Sequence, residues 1–354
     1  MTNAIGARWL STLVDPVTRP LRLLNETLRP NPGPRWTTSN RILHEDDAHR
    51  LRDFSPAPTV AADVPLLVVP PEINQSYIVD FGPGQSLVAA ALDAGLPRVT
   101  AIEWRSASTS RRAARRDIDD SVHTILEAIR TLGGRAHVLG VCQGGWESAI
   151  AAALAPDATA TLTLVAAPID FHAGRGVLKQ LARLTPMTTY RGLVGHGLGV
   201  MRGSFISAGF DTLRPAERFL RGPLALWNRL DDDVWMNRHH QLQDWYRCPK
   251  DLPGPLYLRA VRELFKENRL IQGRFVALGR TARLEAITCP LCLVAGGRDH
   301  ITPPPQVWAA KQACSSTDVL EVETDGGHIG TFMGRQELAR HWPGIFAWLK
   351  AHDT

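Results

Sequence analysis

The chain has 354 residues, 44% of them hydrophobic and 21% charged, with a net charge of +5. This is an ordinary globular composition with material for a sizeable core, as one large α/β domain with an insertion or as two modest domains. No apolar run approaches the roughly 18 residues needed to span a bilayer. The start, Met1 to Pro20, lacks a compact apolar stretch followed by a small-residue cleavage site, which argues against export. Five cysteines without framework spacing fit a reducing, cytoplasmic setting. The only dense cationic run is Arg111-Arg112-Ala113-Ala114-Arg115-Arg116. It reads as a solvated loop or helix start, or as an attractor of an anionic substrate. No aromatic interleaving or zinc-finger spacing suggests nucleic acid.

Residues 1–60 are rich in Arg and Pro and read as an N-terminal arm without a periodic core. From there strands and helices alternate. Val64 to Val69 is expected as a strand, Ser86 to Ala94 as a helix and Val99 to Trp104 as a strand. A helix follows at Asp117 to Leu132, with acidic residues suited to its N-terminal dipole. Ala136 to Val141 is a strand, Trp146 to Leu154 a helix and Thr161 to Ala166 a strand closed by Pro168-Ile169-Asp170-Phe171. Strand signals then stop until Leu291 to Ala295. The intervening 172–285 is helical and aromatic and reads as a cap. A strand at Val319 to Val322 and a helix at Trp342 to Ala351 finish the chain. The sequence therefore predicts an α/β protein: a mostly parallel sheet in two core parts, 61–171 and 286–354, with a helical cap inserted between core strands.

Gly140-Val141-Cys142-Gln143-Gly144 lies between a predicted strand and helix. Gly-x-nucleophile-x-Gly at such a junction is the nucleophile elbow of the α/β-hydrolase fold, here with cysteine at its centre. A cysteine nucleophile needs a base, and the base an orienting acid. Gly326-Gly327-His328-Ile329-Gly330 supplies a histidine after the last strand, and Gly296-Gly297-Arg298-Asp299-His300 an acid after the preceding one. The order nucleophile, acid, histidine is that of α/β-hydrolases. Asp325 competes as the acid, but only Asp299 ends a preceding strand. His300 competes with His328 and is expected to have a structural or supporting role.

The backbone N–H of Gln143 is the expected first oxyanion donor. Ile73, in the loop Pro70-Pro71-Glu72-Ile73-Asn74-Gln75, is the candidate second donor. Cys289-Pro290-Leu291-Cys292 enters a strand with no second pair, so it reads as core rather than metal or redox chemistry. His239-His240 has no carboxylate at a ligand spacing, and no metal is assigned.

Leu139-Gly140-Val141-Cys142-Gln143-Gly144-Gly145, Pro168-Ile169-Asp170-Phe171, Arg298-Asp299-His300-Ile301-Thr302-Pro303-Pro304 and Gly326-Gly327-His328-Ile329-Gly330 resemble polyhydroxyalkanoate synthases. The nearest type is the short one, the class III catalytic subunit. Pro71 to Asp80, Trp104, Asp119-Asp120 and Gln243-Asp244-Trp245-Tyr246 fit as well, so the likeness runs over roughly 36–350.

The resemblance implies polymerisation of (R)-3-hydroxyacyl-CoA into polyester with release of CoA. Cys142 would be the covalent nucleophile, His328 the general base and Asp299 the third member. It implies no cofactor beyond the coenzyme A ester used as substrate. Its expected partners are the growing polyester and an accessory synthase subunit or a second copy of the chain, and its expected location is the cytoplasm or the surface of polyester granules. Trp146 stands where a small residue is expected, and with Trp245 and His300 it is assigned to the substrate channel or its support. The alternative on the same scaffold is a cysteine hydrolase, either an acyl-CoA thioesterase or an intracellular depolymerase.

Cysteine has a chemical rationale of its own. Passing an acyl group from CoA to Cys142 exchanges one thioester for another, so the acyl group stays activated for attack by a poor nucleophile such as a hydroxyl. A serine ester would discard that activation. Water is the rival acceptor, and an apolar cap that excludes it would favour the polymer.

Overall fold

The computed structural model describes residues 18–26, 28–31, 33, 35–56, 63–213 and 222–353. These fall into two compact units, one of residues 1–34 and 206–249, the other of 35–205 and 250–354.

The larger unit is built on an eight-stranded sheet. Its strands are β1 (Arg41–Glu45), β2 (His49–Asp53), β3 (Leu66–Val69), β4 (Val99–Trp104), β5 (Ala136–Val141), β6 (Thr159–Val165), β7 (Leu291–Gly296) and β8 (Val319–Thr324). They lie in the order β1-β2-β4-β3-β5-β6-β7-β8. The six from β3 to β8 are mutually parallel, while β1 and β2 add an antiparallel hairpin at one edge. The strand order reverses between β3 and β5, and open α/β sheets bind ligands beyond the carboxyl ends of the strands at such a switch point.

The inner strands are buried on both faces, with His137, Thr159, Thr161 and Thr163 among otherwise apolar or small residues. Every residue of β3, β5, β6 and β7 is buried. The helix α1 (Leu87–Asp93) is capped by the Ser86 side chain, which accepts from Ala89 N. The helix α2 (Ile118–Thr131) begins with a reciprocal capping box. Asp117 accepts from Asp119 N, and Asp120 accepts from Asp117 N, each at 2.8 Å. The acidic residues read from sequence as dipole partners are thus the cap itself.

The helix α3 (Gln143–Leu154) is buried along its whole length, and its Trp146, Ile150 and Leu154 join the main core with Ile118, Val122 and Ile125 of α2. It starts directly after Cys142, three residues earlier than the periodicity indicates. The glycines Gly144 and Gly145 lower helix propensity there without preventing the turn. α4 (Pro304–Ala313) and α5 (Trp342–Lys350) complete the cover.

The connection from β6 to β7 is largely helical, as the expected insertion requires. Within the larger unit it includes helices Val177–Leu184, Met187–His196 and Gly254–Arg259. The compact units cut across the segments read from sequence. Residues 206–249 group with the N-terminal 1–34, and the rest of 172–285 groups with the sheet. The region expected to be an arm, 1–60, likewise divides, and its residues 41–53 form the β1–β2 hairpin. That hairpin escaped the sequence reading because arginines alternate with its buried residues. In His49-Arg50-Leu51-Arg52-Asp53 the buried positions are His49, Leu51 and Asp53, of which only Leu51 looks apolar.

In the smaller unit, Arg19 and Arg22 of a helix at 18–26 pair with Asp231 at 2.8 and 2.7 Å. Arg29 pairs with Asp244 of the helix Asp233–Tyr246, and Glu26 with His240 of the same helix. No described helix is long and apolar enough to cross a membrane.

Candidate active site

Cys142 occupies the turn between β5 and α3 with φ 53° and ψ −114°. This backbone region is strained for a side chain other than glycine, and a nucleophile elbow stores strain there to expose its side chain. The turn is fixed by Cys142 N donating to Val165 O at 2.9 Å and by Gly145 N donating to Cys142 O at 3.0 Å. Two glycines allow the helix to pass. A Cβ on Gly144 would lie 2.1 Å from Val69 O, and one on Gly140 would lie 2.5 Å from the Gly144 carbonyl oxygen.

The loop after β7 carries Asp299, 5% exposed. Its Oδ1 accepts the N–H groups of Ile301 and Thr302 at 2.8 and 2.9 Å, which locks the carboxylate. Its Oδ2 lies 2.7 Å from Nδ1 of His328, on the loop after β8. The same imidazole hydrogen-bonds Cys142. Three sequence-predicted residues from three strand ends thus meet in one chain of contacts. Burial by itself would push the His328 imidazole down. The charge at Cys142 and the hydrogen bond to Asp299 outweigh it and hold the group up at about 10.

The rival acid is elsewhere: Asp325 is exposed, with Oδ2 facing Arg340 at 3.3 Å. His300 belongs to the acid loop, where its carbonyl accepts from Val177 N at 3.2 Å. The Gln143 N–H opens α3 next to Cys142. Ile73 sits in the loop that leaves β3, the strand beside β5. Trp146 is 3% exposed and packs in the main hydrophobic core. Trp245 is buried in the smaller unit, with its ring 6.3 Å from that of Tyr246.

Cys289 and Cys292 are free thiols pushed by burial up to about 11 and about 12, a setting that suits packing rather than thiolate chemistry. Among the described residues one trio of potential metal ligands, His44, Asp46 and His49, lies within 4.8 Å in the β1–β2 hairpin. Asp46 Oδ1 there already accepts the N–H groups of Ala48 and His49 at 2.8 Å each, the geometry of a side-chain-closed turn.

Sequence reasoning missed a cluster of buried charges behind the elbow. Glu72, Arg116 and Glu147 are 1%, 5% and 0% exposed. Arg116 Nη2 donates to Glu72 Oε2 at 2.7 Å, Ser121 Oγ to Glu72 Oε1 at 2.7 Å, and Gln143 Nε2 to Glu147 Oε1 at 3.0 Å. Burial and the nearby Glu72 charge raise Glu147 well above the usual carboxylate range, which favours its neutral form. A glutamate one helical turn beyond Gln143, on a helix otherwise rich in alanine, was the available signal.

Residues 55–336 match the family described as "Protein of unknown function (DUF3141)". The chain is 26% identical over 317 residues to "Poly(3-hydroxyalkanoate) polymerase subunit PhaC" of Haloferax mediterranei, a match covering 88% of this chain and 63% of that one. It is also 26% identical over 293 residues to the protein of the same name from Allochromatium vinosum, covering 82% and 81%. Among solved structures it resembles the Paleococcus ferrophilus monoacylglycerol lipase, with a TM-score of 0.53 and 16% identity over 86% of this chain and 99% of that one. A thermophilic esterase from Thermogutta terrifontis matches with a TM-score of 0.51 and 14% identity over 90% and 100%. Both likenesses support the fold that the sheet order and the elbow define. The chain belongs to the DUF3141 family, has the α/β-hydrolase fold and is related to the poly(3-hydroxyalkanoate) polymerases.

Proposed function

We propose that the protein is an acyltransferase that polymerises (R)-3-hydroxyacyl-CoA into polyester through an acyl thioester on Cys142. The observation that carries this reading is His328 hydrogen-bonded to both Asp299 and the elbow cysteine. The relatives named as poly(3-hydroxyalkanoate) polymerases support the substrate class.

In the first half-reaction the Cys142 thiolate attacks the acyl carbon of the CoA ester. Its Sγ–C bond forms as the carbonyl becomes an oxyanion, received by the N–H groups of Gln143 and Ile73. Collapse breaks the C–S bond to CoA, and the departing sulfur takes a proton from His328. In the second half-reaction the neutral imidazole accepts the proton of a 3-hydroxyl as its oxygen attacks the acyl-Cys142 carbon. The ester bond forms and the thiolate leaves, again paired with the imidazolium. Asp299 holds the proton on Nδ1, so the same ring face works in both halves. The substrate would react at the elbow, and an accessory subunit or a second copy would bind as partner.

Purified protein given (R)-3-hydroxybutyryl-CoA tests the proposal. CoA release with sedimentable polyester, alone or with an accessory synthase subunit, is the expected result. CoA release yielding only free acid would overturn it in favour of a thioesterase. No turnover would overturn it in favour of a depolymerase or a non-catalytic role.

A further inference from the structure

The loop leaving β3 carries Glu72 and Ile73 and is tied down at three points. At its start, Trp104 Nε1 donates to Pro70 O at 2.8 Å, and beyond its end Trp104 N donates to Ser76 Oγ at 3.0 Å. A single residue at the end of β4 thereby fixes both flanks. Lys250 reinforces the second flank, donating to the Trp104 carbonyl at 2.9 Å and to Ser76 Oγ at 3.3 Å. In the middle, Glu72 receives Arg116 and Ser121, both at 2.7 Å. The Arg116 guanidinium lies 5.6 Å from the centre of the Trp104 ring, so the central tie rests on the residue that makes the outer two.

General packing does not require this arrangement. Removing two charges from water costs several kcal/mol per ion, on the order of what breaking such a pair costs a protein, and an apolar pair of the same volume is often as stable. What an ion pair gives, and an apolar contact does not, is direction: the carboxylate is held by three donor groups of two residues, Arg116 and Ser121. Glu72 is the residue immediately before Ile73 and supplies the carbonyl of the peptide that carries the Ile73 N–H, so anchoring its side chain restrains the backbone next to that donor. On the opposite flank, Gly144 leaves no room between α3 and Val69, and the loop cannot relax toward the elbow.

We infer that Glu72 and Arg116, seated on Trp104, are positioning residues that aim the second oxyanion donor at the acyl group carried by Cys142. The inference rests on the acyl-transfer reading of the elbow. Its energetic logic is that an oxyanion donor acts only when charge develops, and a donor displaced by a fraction of an ångström loses much of its effect.

The test uses the full-length protein and two probes of Cys142. Iodoacetamide alkylates the thiolate without forming an oxyanion. An alkyl trifluoromethyl ketone adds to the same sulfur reversibly and makes a tetrahedral oxyanion, whose affinity is read by fluorine NMR. The variants are Arg116→Met, Glu72→Gln and the double variant Glu72→Gln/Arg116→Met. The double variant removes both buried charges and keeps the fold if either single variant loses it.

For each folded variant the expected result is an alkylation rate within about two-fold of wild type and a ketone affinity lower by about ten-fold or more. With a turnover substrate, kcat falls by a similar factor and KM moves little. A folded double variant that binds the ketone as tightly as wild type overturns the inference. So does a loss of alkylation rate equal to the loss of ketone affinity, because the effect would then lie at the nucleophile. A wild type that is alkylated but forms no ketone adduct contradicts the acyl-transfer reading itself, and the inference falls with it.

Discussion

His328 Nδ1 lies 2.7 Å from Asp299 Oδ2, and that carboxylate is locked from behind by two backbone N–H groups. The pair orients the imidazole, and the charge at Cys142 together with the hydrogen bond to Asp299 raises it from its ordinary 6.5 to about 10. A raised folded-state value means that the folded protein binds the proton more tightly than the unfolded chain does. The associated stability is fully present below about 6.5 and is lost as pH rises through about 10. Asp299→Asn removes the part that Asp299 supplies. The melting temperature of the variant should therefore fall furthest below wild type near pH 6, with the gap closing above about pH 10. A gap that widens with pH would contradict the assignment. At neutral pH the same variant should react with iodoacetamide about ten-fold or more slowly than wild type, because a less basic imidazole pairs less well with the thiolate.

Glu147 is predicted to be tolerant of amidation and intolerant of truncation. The neutral acid and glutamine are near-isosteres, and Oε1 of either accepts from Gln143 Nε2. Glu147→Gln should leave activity within about three-fold of wild type. Glu147→Ala should cost about 2–4 kcal/mol, from the cavity and the stranded Gln143 donor. Because burial raises Glu147, folding holds a proton that the unfolded chain releases above its ordinary 4.5. Wild type must then lose stability relative to Glu147→Gln as pH rises from about 4.5 toward the raised value. Urea denaturation of the two proteins between pH 5 and about pH 8 reads this directly, and parallel profiles would show that Glu147 is ionised.

Gly144→Ala is expected to damage the site through backbone rather than side-chain chemistry. The added Cβ meets the carbonyl oxygen of Val69 at 2.1 Å, and neither β3 nor α3 can retreat because both are buried. A destabilisation of about 1–3 kcal/mol follows from such overpacking. Loss of activity should exceed what the unfolded fraction explains, since the displaced strand leads into the loop of Glu72 and Ile73. Activity that tracks only the folded fraction, measured by circular dichroism, would contradict this.

The sheet edge that carries Cys142, Asp299 and His328 was legible in the sequence because its signals are local. An apolar strand running into glycine, cysteine and glycine, and a glycine-flanked acid and histidine after two later strands, each fit within about ten residues. The boundaries of β4 and β5 followed from mainly apolar stretches between turn residues. The β1–β2 hairpin was hidden because His49 and Asp53 occupy buried positions that apolar residues usually mark. The Glu72–Arg116–Ser121 contacts were hidden for another reason. They join residues 44 and 49 positions apart, and no periodicity connects a glutamate after a double proline to an arginine at the end of a basic run. That run divides in the structure: Arg111, Arg112 and Arg115 are exposed, and Arg116 is the one that turns inward.

The central claim is that Cys142 carries the acyl group, and the most direct measurement is the mass of the protein after brief exposure to (R)-3-hydroxybutyryl-CoA. The expected product is hydroxyacyl units attached to the peptide that contains Cys142, appearing with an equivalent release of CoA and absent in Cys142→Ala. Undiminished CoA release by Cys142→Ala, or acylation at any other residue, would contradict it.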